Sequence, residues 1–422
     1  MAGNGAENAD GARSGSARDV IELVTDRDMI ALVTDEASSA PFAPSSDQRR
    51  RSHPRRALVL GAGGVLGAAW MTGALVAAQE VLQCAPGDVD LMLGTSAGSV
   101  LAAALRCGVS TEELASYQRG EPIGVLAGLG EVHAGPWPRP PRLRLGSPRL
   151  ALTALTAPHR VHPAVQACAW LPIGRENHES LYAMIQVLQS RIPSKAASAH
   201  LTPTAATAAT AATAATAAPA ATAVTAVTAA PAAAPAGPAN PGWVDSQTWV
   251  VAVDYDSGRR VVFGSPGAPP AHLAEAVAAS CSVPGWYEPV VIGGRRYVDG
   301  GVRSVTSLGL LAGQGVDEVC VLAPMASLVA DRRYAPHMHL ERRVRSLLTY
   351  LLMREVRELR AAGVKVTVLT PGPEDLAVMG VNLMDPRRRQ AVLETSLRTS
   401  PAALAAHTPT RSGPARQGEA AA

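Results

Sequence analysis

The chain has 422 residues, 17% of them charged and balanced to a formal net charge of only +3. That length suits one large or two ordinary domains, and so small an excess excludes a nucleic-acid binder working through a global positive field. Five cysteines, at 84, 107, 168, 281 and 320, are odd in number and form no C-x-x-C pair, which excludes a disulfide framework and fits reduced thiols in a cytoplasmic protein.

Residues 1–54 are rich in Gly, Ala, Ser, Asp and Arg with little apolar period, interrupted only at Val20–Val24, and read as a disordered arm. The arm has no basic segment leading into a continuous apolar core, so no secretory signal is expected. No run of 18 apolar, uncharged residues with membrane character is apparent elsewhere. Arg56–Leu60 then reads as a short buried strand running into Gly61-Ala62-Gly63-Gly64-Val65-Leu66-Gly67, with a helical pattern from Ala68 to Gln83. Bare backbone N–H groups at a helix N-terminus suit an anion, either a phosphate or the oxyanion of an acyl-transfer intermediate. A dinucleotide site needs an acidic residue at the end of the second strand, about 20 residues on. Asp88 and Asp90 stand at that strand's start, and Leu66 occupies the third glycine position, so no cofactor is expected.

The second strand, Val89–Leu93, leads into Gly94-Thr95-Ser96-Ala97-Gly98 and a helix over Ala97–Arg106. A serine at a sharp strand-to-helix turn is a nucleophile elbow, in which Gly94 and Gly98 remove side chains that would clash. Gly135–Leu145 interleaves arginines with Trp137 and two leucines in a proline-stiffened stretch. It reads as a solvated surface loop, with peripheral contact to anionic lipid as the alternative. Residues 201–242 form an Ala/Thr/Pro-rich insertion whose triplet repeat matches neither helix nor strand.

Strands are expected at Thr248–Asp254 and Arg260–Phe263, and a short helix at Leu273–Ser280. A hairpin turning at Gly293-Gly294 should then deliver Asp299 beside Gly300 and Gly301. An Asp-Gly-Gly by itself is usually a turn; with an elbow serine and an oxyanion loop it becomes a candidate general base. Further strands fall at Val319–Leu322 and Lys365–Leu369. Between them, Leu340–Arg360 carries Leu340, Val344, Leu347, Leu348, Leu351, Leu352, Val356 and Leu359 on one helical face with arginines around the other, read as packing on the sheet with a membrane role as the alternative. Residues 386–422 read as a flexible Arg/Pro/Ala tail. The alternation of strands and helices gives an α/β sandwich with a mostly parallel central sheet.

These motifs, in this order, resemble the patatin-like phospholipase family. Gly61–Gly67 is similar to its oxyanion motif, Gly94–Gly98 to its serine elbow and Asp299-Gly300-Gly301 to its aspartate motif. Ala278–Gly285 and Leu322-Ala323-Pro324 resemble flanking words of bacterial members, and the likeness spans residues 55–385 apart from the insertion. The resemblance implies a three-layer patatin-like α/β domain and a Ser-Asp dyad without histidine. Ser96 would be the nucleophile, Asp299 the general base and acid, and the amides of Gly63, Gly64 and Val65 the oxyanion hole. The implied substrate is a phospholipid or lysophospholipid ester. A small-ester or triacylglycerol hydrolase with the same dyad, and a non-enzymatic lipid-binding module, are the competing readings. Ala62 departs from the motif's first glycine and requires a negative φ, and Leu66 stands where many members carry a basic residue.

A triad of the α/β-hydrolase type would place a histidine after Asp299, where His337, His339 and His407 are found. All three read as exposed, and the His337-x-His339 pair has no Cys or carboxylate to complete a metal site, so no metal is expected. The insertion should be dispensable, because closing a loop costs little more as it lengthens. Replacing Thr204–Asn240 by a short Gly/Ser linker should give a soluble, folded protein within about tenfold of the parent activity, which is about 1.4 kcal/mol in the barrier. Expression yield and ester turnover of the deletion check this.

Overall fold

The computed structural model describes residues 53–127, 137, 139–190, 243, 247–329 and 339–407. The N-terminal arm up to residue 52, the Ala/Thr/Pro-rich insertion and His337 lie outside the described residues. In chain order come β1 (Arg56–Leu60), α1 (Gly64–Leu82), β2 (Leu91–Thr95), α2 (Ala97–Arg106) and α3 (Thr111–Arg119). Then follow β3 (Arg142–Leu145), α4 (Pro148–Thr156), α5 (Pro163–Ala169), β4 (Pro172–Ile173) and α6 (Glu179–Ser190). The second half holds β5 (Thr248–Asp254), β6 (Arg260–Phe263), α7 (Leu273–Ser280), β7 (Val290–Ile292) and β8 (Arg295–Asp299). It closes with β9 (Glu318–Leu322), α8 (His339–Ala361), β10 (Lys365–Leu369), α9 (Pro373–Met379) and α10 (Arg389–His407).

Strands β10, β9, β1, β2 and β5 lie side by side and parallel, while β8, β7 and β6 add antiparallel pairs. Because side chains alternate across a strand, an apolar run such as Ala57-Leu58-Val59-Leu60 feeds both faces of the sheet. Leu58 and Leu60 join the core shared with α1, α2, α7 and α10. Ala57 and Val59 join the opposite core, closed by Leu352, Val356 and Leu359 of α8. The result is the three-layer α/β sandwich expected from the pattern.

Helix α1 has the length and hydropathy to cross a membrane, yet 72% of its apolar window is buried inside this fold. Its apolar character all round follows from its position, with the sheet on one side and α10 on the other. Strand β2 starts two residues later than Val89, because the carboxylate of Asp90 accepts the Arg56 N–H at 2.7 Å and so leaves the ladder.

Three sequence expectations are corrected here. Residues 389–407, assigned to a flexible tail, form α10, which buries Val392, Leu393 and Leu404 and bonds the Ser396 hydroxyl to the Trp70 carbonyl at 2.7 Å. Much of its contact surface is small and polar, so it lacks the apolar period that flags a helix. The apolar face of α8 divides: its C-terminal half packs on the sheet, whereas Val344 and Leu347 stay 47% and 58% exposed. Within the basic stretch, Arg142 belongs to β3 and pairs with Glu288, and Arg139 pairs with Glu176, while Trp137 stays exposed.

The seat of α10 on α1 has a direct test. A Cβ at Gly73 would lie 2.7 Å from the Cβ of Ser396 and 2.9 Å from the Leu397 nitrogen. Gly to Ala inside an open helix gains about 1 kcal/mol. At Gly73 the overpacking should reverse that sign, so Gly73→Ala should lose about 1–3 kcal/mol in urea unfolding. A gain in stability would show that α10 does not sit there.

Candidate active site

Ser96 stands between β2 and α2 with φ 54° and ψ −125°, a left-handed conformation that an L-residue holds only when its surroundings impose it. Those surroundings are visible. The Ser96 N–H donates to the Ser280 hydroxyl at 2.9 Å, and the Ser96 carbonyl accepts from the N–H of Ser99 at 2.8 Å and its hydroxyl at 2.7 Å. The glycines of the elbow are needed for space: a Cβ on Gly98 would lie 2.0 Å from the Leu60 carbonyl oxygen, and one on Gly94 2.6 Å from the Ser99 Cα.

Strand register brings Asp299 to the same point. Strand β2 pairs with Thr248–Val251 of β5, and β8 pairs with Ala252–Asp254 of the same strand in the opposite direction. Strand β6 pairs with Val250–Val253 and so occupies the other edge, which leaves β2 and β8 meeting end to end along one edge. Thr95 lies opposite Val251 and Asp299 opposite Ala252, so Ser96 and Asp299 face each other across the junction. At that seam the Val251 carbonyl accepts the Ser280 hydroxyl at 2.6 Å. One serine therefore closes the gap in the ladder and holds the elbow.

Asp299 is 4% exposed, and burial pushes its carboxyl up to about 6, partly offset by hydrogen bonds from the Ser96 hydroxyl and the Gly301 N–H. The Gly301 N–H donates to it at 2.7 Å. Gly300 allows the turn, since a Cβ there would lie 2.5 Å from the Val251 oxygen.

The glycine-rich loop completes the geometry. The Gly61 N–H donates to the Leu322 carbonyl at 3.0 Å, the Ala62 N–H to Val305 at 2.7 Å and the Gly67 N–H to Gly63 at 2.9 Å. The N–H groups of Gly63, Gly64 and Val65 have no backbone acceptor among the described residues and stand at the N-terminus of α1. Gly64 needs its missing side chain, having φ +60° with Met384 Sδ 2.8 Å from where a Cβ would lie. Ala62 is not among the positive-φ residues, which is the condition alanine required there. Leu66 is fully buried, its N–H bonded to the Leu383 carbonyl at 2.9 Å.

Ser96, Asp299, Gly63, Gly64 and Val65 all line one cavity of about 1500 Å³. Its walls include Leu114, Leu181 and Met184 together with Val344, Leu347 and Leu351 of α8. Two histidines line this cavity, His162 and His178, both upstream of Asp299, and His178 is the one that bears on the segment behind it. The His178 Nε2 meets the Ser282 hydroxyl at 3.0 Å, its ring stacks on Tyr287 at 4.2 Å, and burial pushes it down to about 4. Because the Ser282 hydroxyl donates to the Ala278 carbonyl at 2.9 Å, His178 is the donor. The Ser282 carbonyl in turn accepts the Asp299 N–H at 3.0 Å, so the histidine braces the segment behind the carboxylate. No hydrogen bond joins it to Ser96 or Asp299 among the described residues. The side chains of His339 and His407 lie outside the described residues.

Sequence reasoning missed Ser280 and His178 as supports. Ser280 sits in a stretch whose likeness to known sequences was noted without a role, and its contact spans 184 residues.

The buried carboxylate has a price in stability that can be measured. With a folded value near 6 and an ordinary value of 3.8, Asp299 favours the folded state at pH below 3.8 and loses that contribution as pH rises through 6. The loss is roughly 3 kcal/mol by linkage. Asp299→Asn should therefore unfold at higher denaturant than the parent at pH 8 and show no such gain at pH 4. A pH-independent difference would contradict the burial argument.

Comparison with known proteins adds the family. The solved structures that match include VipD from Legionella pneumophila, with 13% identity, a TM-score of 0.35, and coverage of 84% of this chain and 67% of that one. No curated protein matches the chain. The sequence model described as "Patatin-like phospholipase" matches residues 58–311, more than half of the chain, and takes in the glycine-rich loop, Ser96 and Asp299. The chain belongs to the patatin-like phospholipase family, whose activity is lipid acyl hydrolysis.

Proposed function

We propose that the protein is a serine acyl hydrolase that cleaves carboxylic esters of phospholipids or lysophospholipids through Ser96 and Asp299. The observation that carries this reading is the strained Ser96, hydrogen-bonded to a buried carboxylate at a cavity edged by the N–H groups of Gly63, Gly64 and Val65. Ser96 Oγ attacks the ester carbonyl as Asp299 takes its proton. The carbonyl oxygen becomes an oxyanion facing the three loop amides and the positive end of α1. Collapse expels the alcohol, which receives the proton from Asp299, and leaves an acyl group on Ser96. Water then repeats the sequence in reverse roles and releases the fatty acid.

A carboxylate in water is too weak a base for this step; burial raises Asp299 toward the working pH and improves the proton transfer. The large cavity with apolar walls suits acyl chains better than a small ester.

Ser96→Ala should abolish fluorophosphonate labelling and p-nitrophenyl ester hydrolysis while leaving thermal unfolding nearly unchanged; full labelling of that variant would exclude Ser96 as nucleophile. Asp299→Asn should slow acylation by about two to four orders of magnitude. In the parent, kcat/KM should climb as pH rises through about 6, since the base must be ionised. The triple replacement of His337, His339 and His407 by Gln should cost little. A dead triple variant beside an active Asp299→Asn would overturn the dyad.

A further inference from the structure

Beyond Asp299 the cavity wall carries two arginines that take no part in the proposed chemistry. Arg303 lies four residues past Asp299, after the 3-10 turn Gly300–Val302, and Arg260 begins β6, opposite Val253 of β5. Both line the cavity that holds Ser96. Neither guanidinium has a hydrogen bond or ion pair among the described residues. The carboxylate with a marked influence on Arg260 is Glu355 of α8, and it already accepts from the Ser304 hydroxyl at 3.1 Å and the Thr306 hydroxyl at 3.3 Å. Arg354 and Glu358, on the same stretch of wall, pair with each other at 3.1 Å. On this stretch Arg260, Arg303 and Arg354 thus stand against Glu355 and Glu358, one positive charge in excess before the carboxyl of Asp299, on the same cavity, is counted.

Such a charge is costly to hold without a partner. Burial, reinforced by the positive charge of Arg303 and opposed by Glu355, lowers the proton affinity of Arg260. Arginine normally answers burial with a bidentate carboxylate or phosphate, which its planar fork fits. His162 lines the same cavity, feels the positive charge of Arg303, and has a buried Nδ1 with no hydrogen-bond partner. Arg260 and the His162 Nδ1 are thus buried without a hydrogen-bond partner on one cavity, with the charge of Arg303 bearing on both.

We infer that Arg260 and Arg303 form an anion subsite that takes the phosphodiester of a glycerophospholipid while its acyl ester lies at Ser96. The assignment rests on the acyl-hydrolase reading above and deepens it: these arginines set the preference for a phosphate-bearing lipid over a neutral one. His162, through a protonated Nδ1, is a further donor to the same group.

The test is binding, which separates the subsite from turnover. The full chain carrying Ser96→Ala is titrated calorimetrically with dihexanoyl-phosphatidylglycerol, with dihexanoylglycerol and with inorganic phosphate. The phosphate-bearing lipid should bind at least tenfold tighter than the neutral one, about 1.4 kcal/mol. Adding Arg260→Gln and Arg303→Gln should abolish that difference, and Arg260→Lys with Arg303→Lys should keep only part of it; if the glutamine pair fails to fold, the lysine pair carries the comparison. Equal binding of the two lipids, or a preference unchanged in the double variant, overturns the subsite. Inorganic phosphate binding as tightly as the lipid would make the site one for soluble phosphate and overturn the lipid assignment. Fluorophosphonate labelling of the parent reports separately on the acyl-hydrolase reading, so a failure of either is recognised as its own.

Discussion

The meeting of β2 and β8 on one edge of β5 is the constraint on which the site depends. A parallel and an antiparallel neighbour cannot occupy the same stretch of edge, so one must stop where the other begins. At the changeover the ladder loses a partner for the Val251 carbonyl, and the chain must turn sharply out of both strands. The Ser280 hydroxyl meets the first need, and by accepting the Ser96 N–H it holds the second in place. The cost of a left-handed serine, of the order of 1–3 kcal/mol, is thus borne by hydrogen bonds belonging to the sheet rather than by a separate device.

The same junction explains the electrostatics. A carboxylate at a strand end inside the sandwich has little water, and what it receives instead is one amide and one hydroxyl. That is enough to keep it ionisable and too little to make it a strong acid. Burial of Asp299 therefore costs stability whenever its carboxyl is ionised, as expected for an acidic group held in an apolar setting.

Much of this was legible in the sequence, and the reasons are local. The strands Thr248–Asp254 and Lys365–Leu369, the elbow helix and the hairpin around Gly293-Gly294 match their expected bounds, because apolar runs and glycine turns act at short range. Ser96, Asp299 and the glycine-rich loop could be named because each lies in a short motif. What escaped was carried by long-range contact. Ser280 works only because it reaches both β5 and the elbow. His178 lies before Asp299, where a search for a triad in hydrolase order does not look. Helix α10 presents serines and a proline, and its fit to Gly73 depends on what is absent from α1.

The glycine-rich loop is held from far downstream as well as from its neighbours. The Leu66 N–H is bonded to the Leu383 carbonyl, and Met384 fills the space over Gly64. Both lie past residue 311, where the family match ends. During synthesis Ser96, Asp299 and the loop are therefore all made before the residues that brace the loop. A nascent chain stalled short of residue 383 would carry Ser96 and Asp299 with a loosely set amide cradle. The loop thus takes its final set late in translation, when nearly the whole fold can close around it.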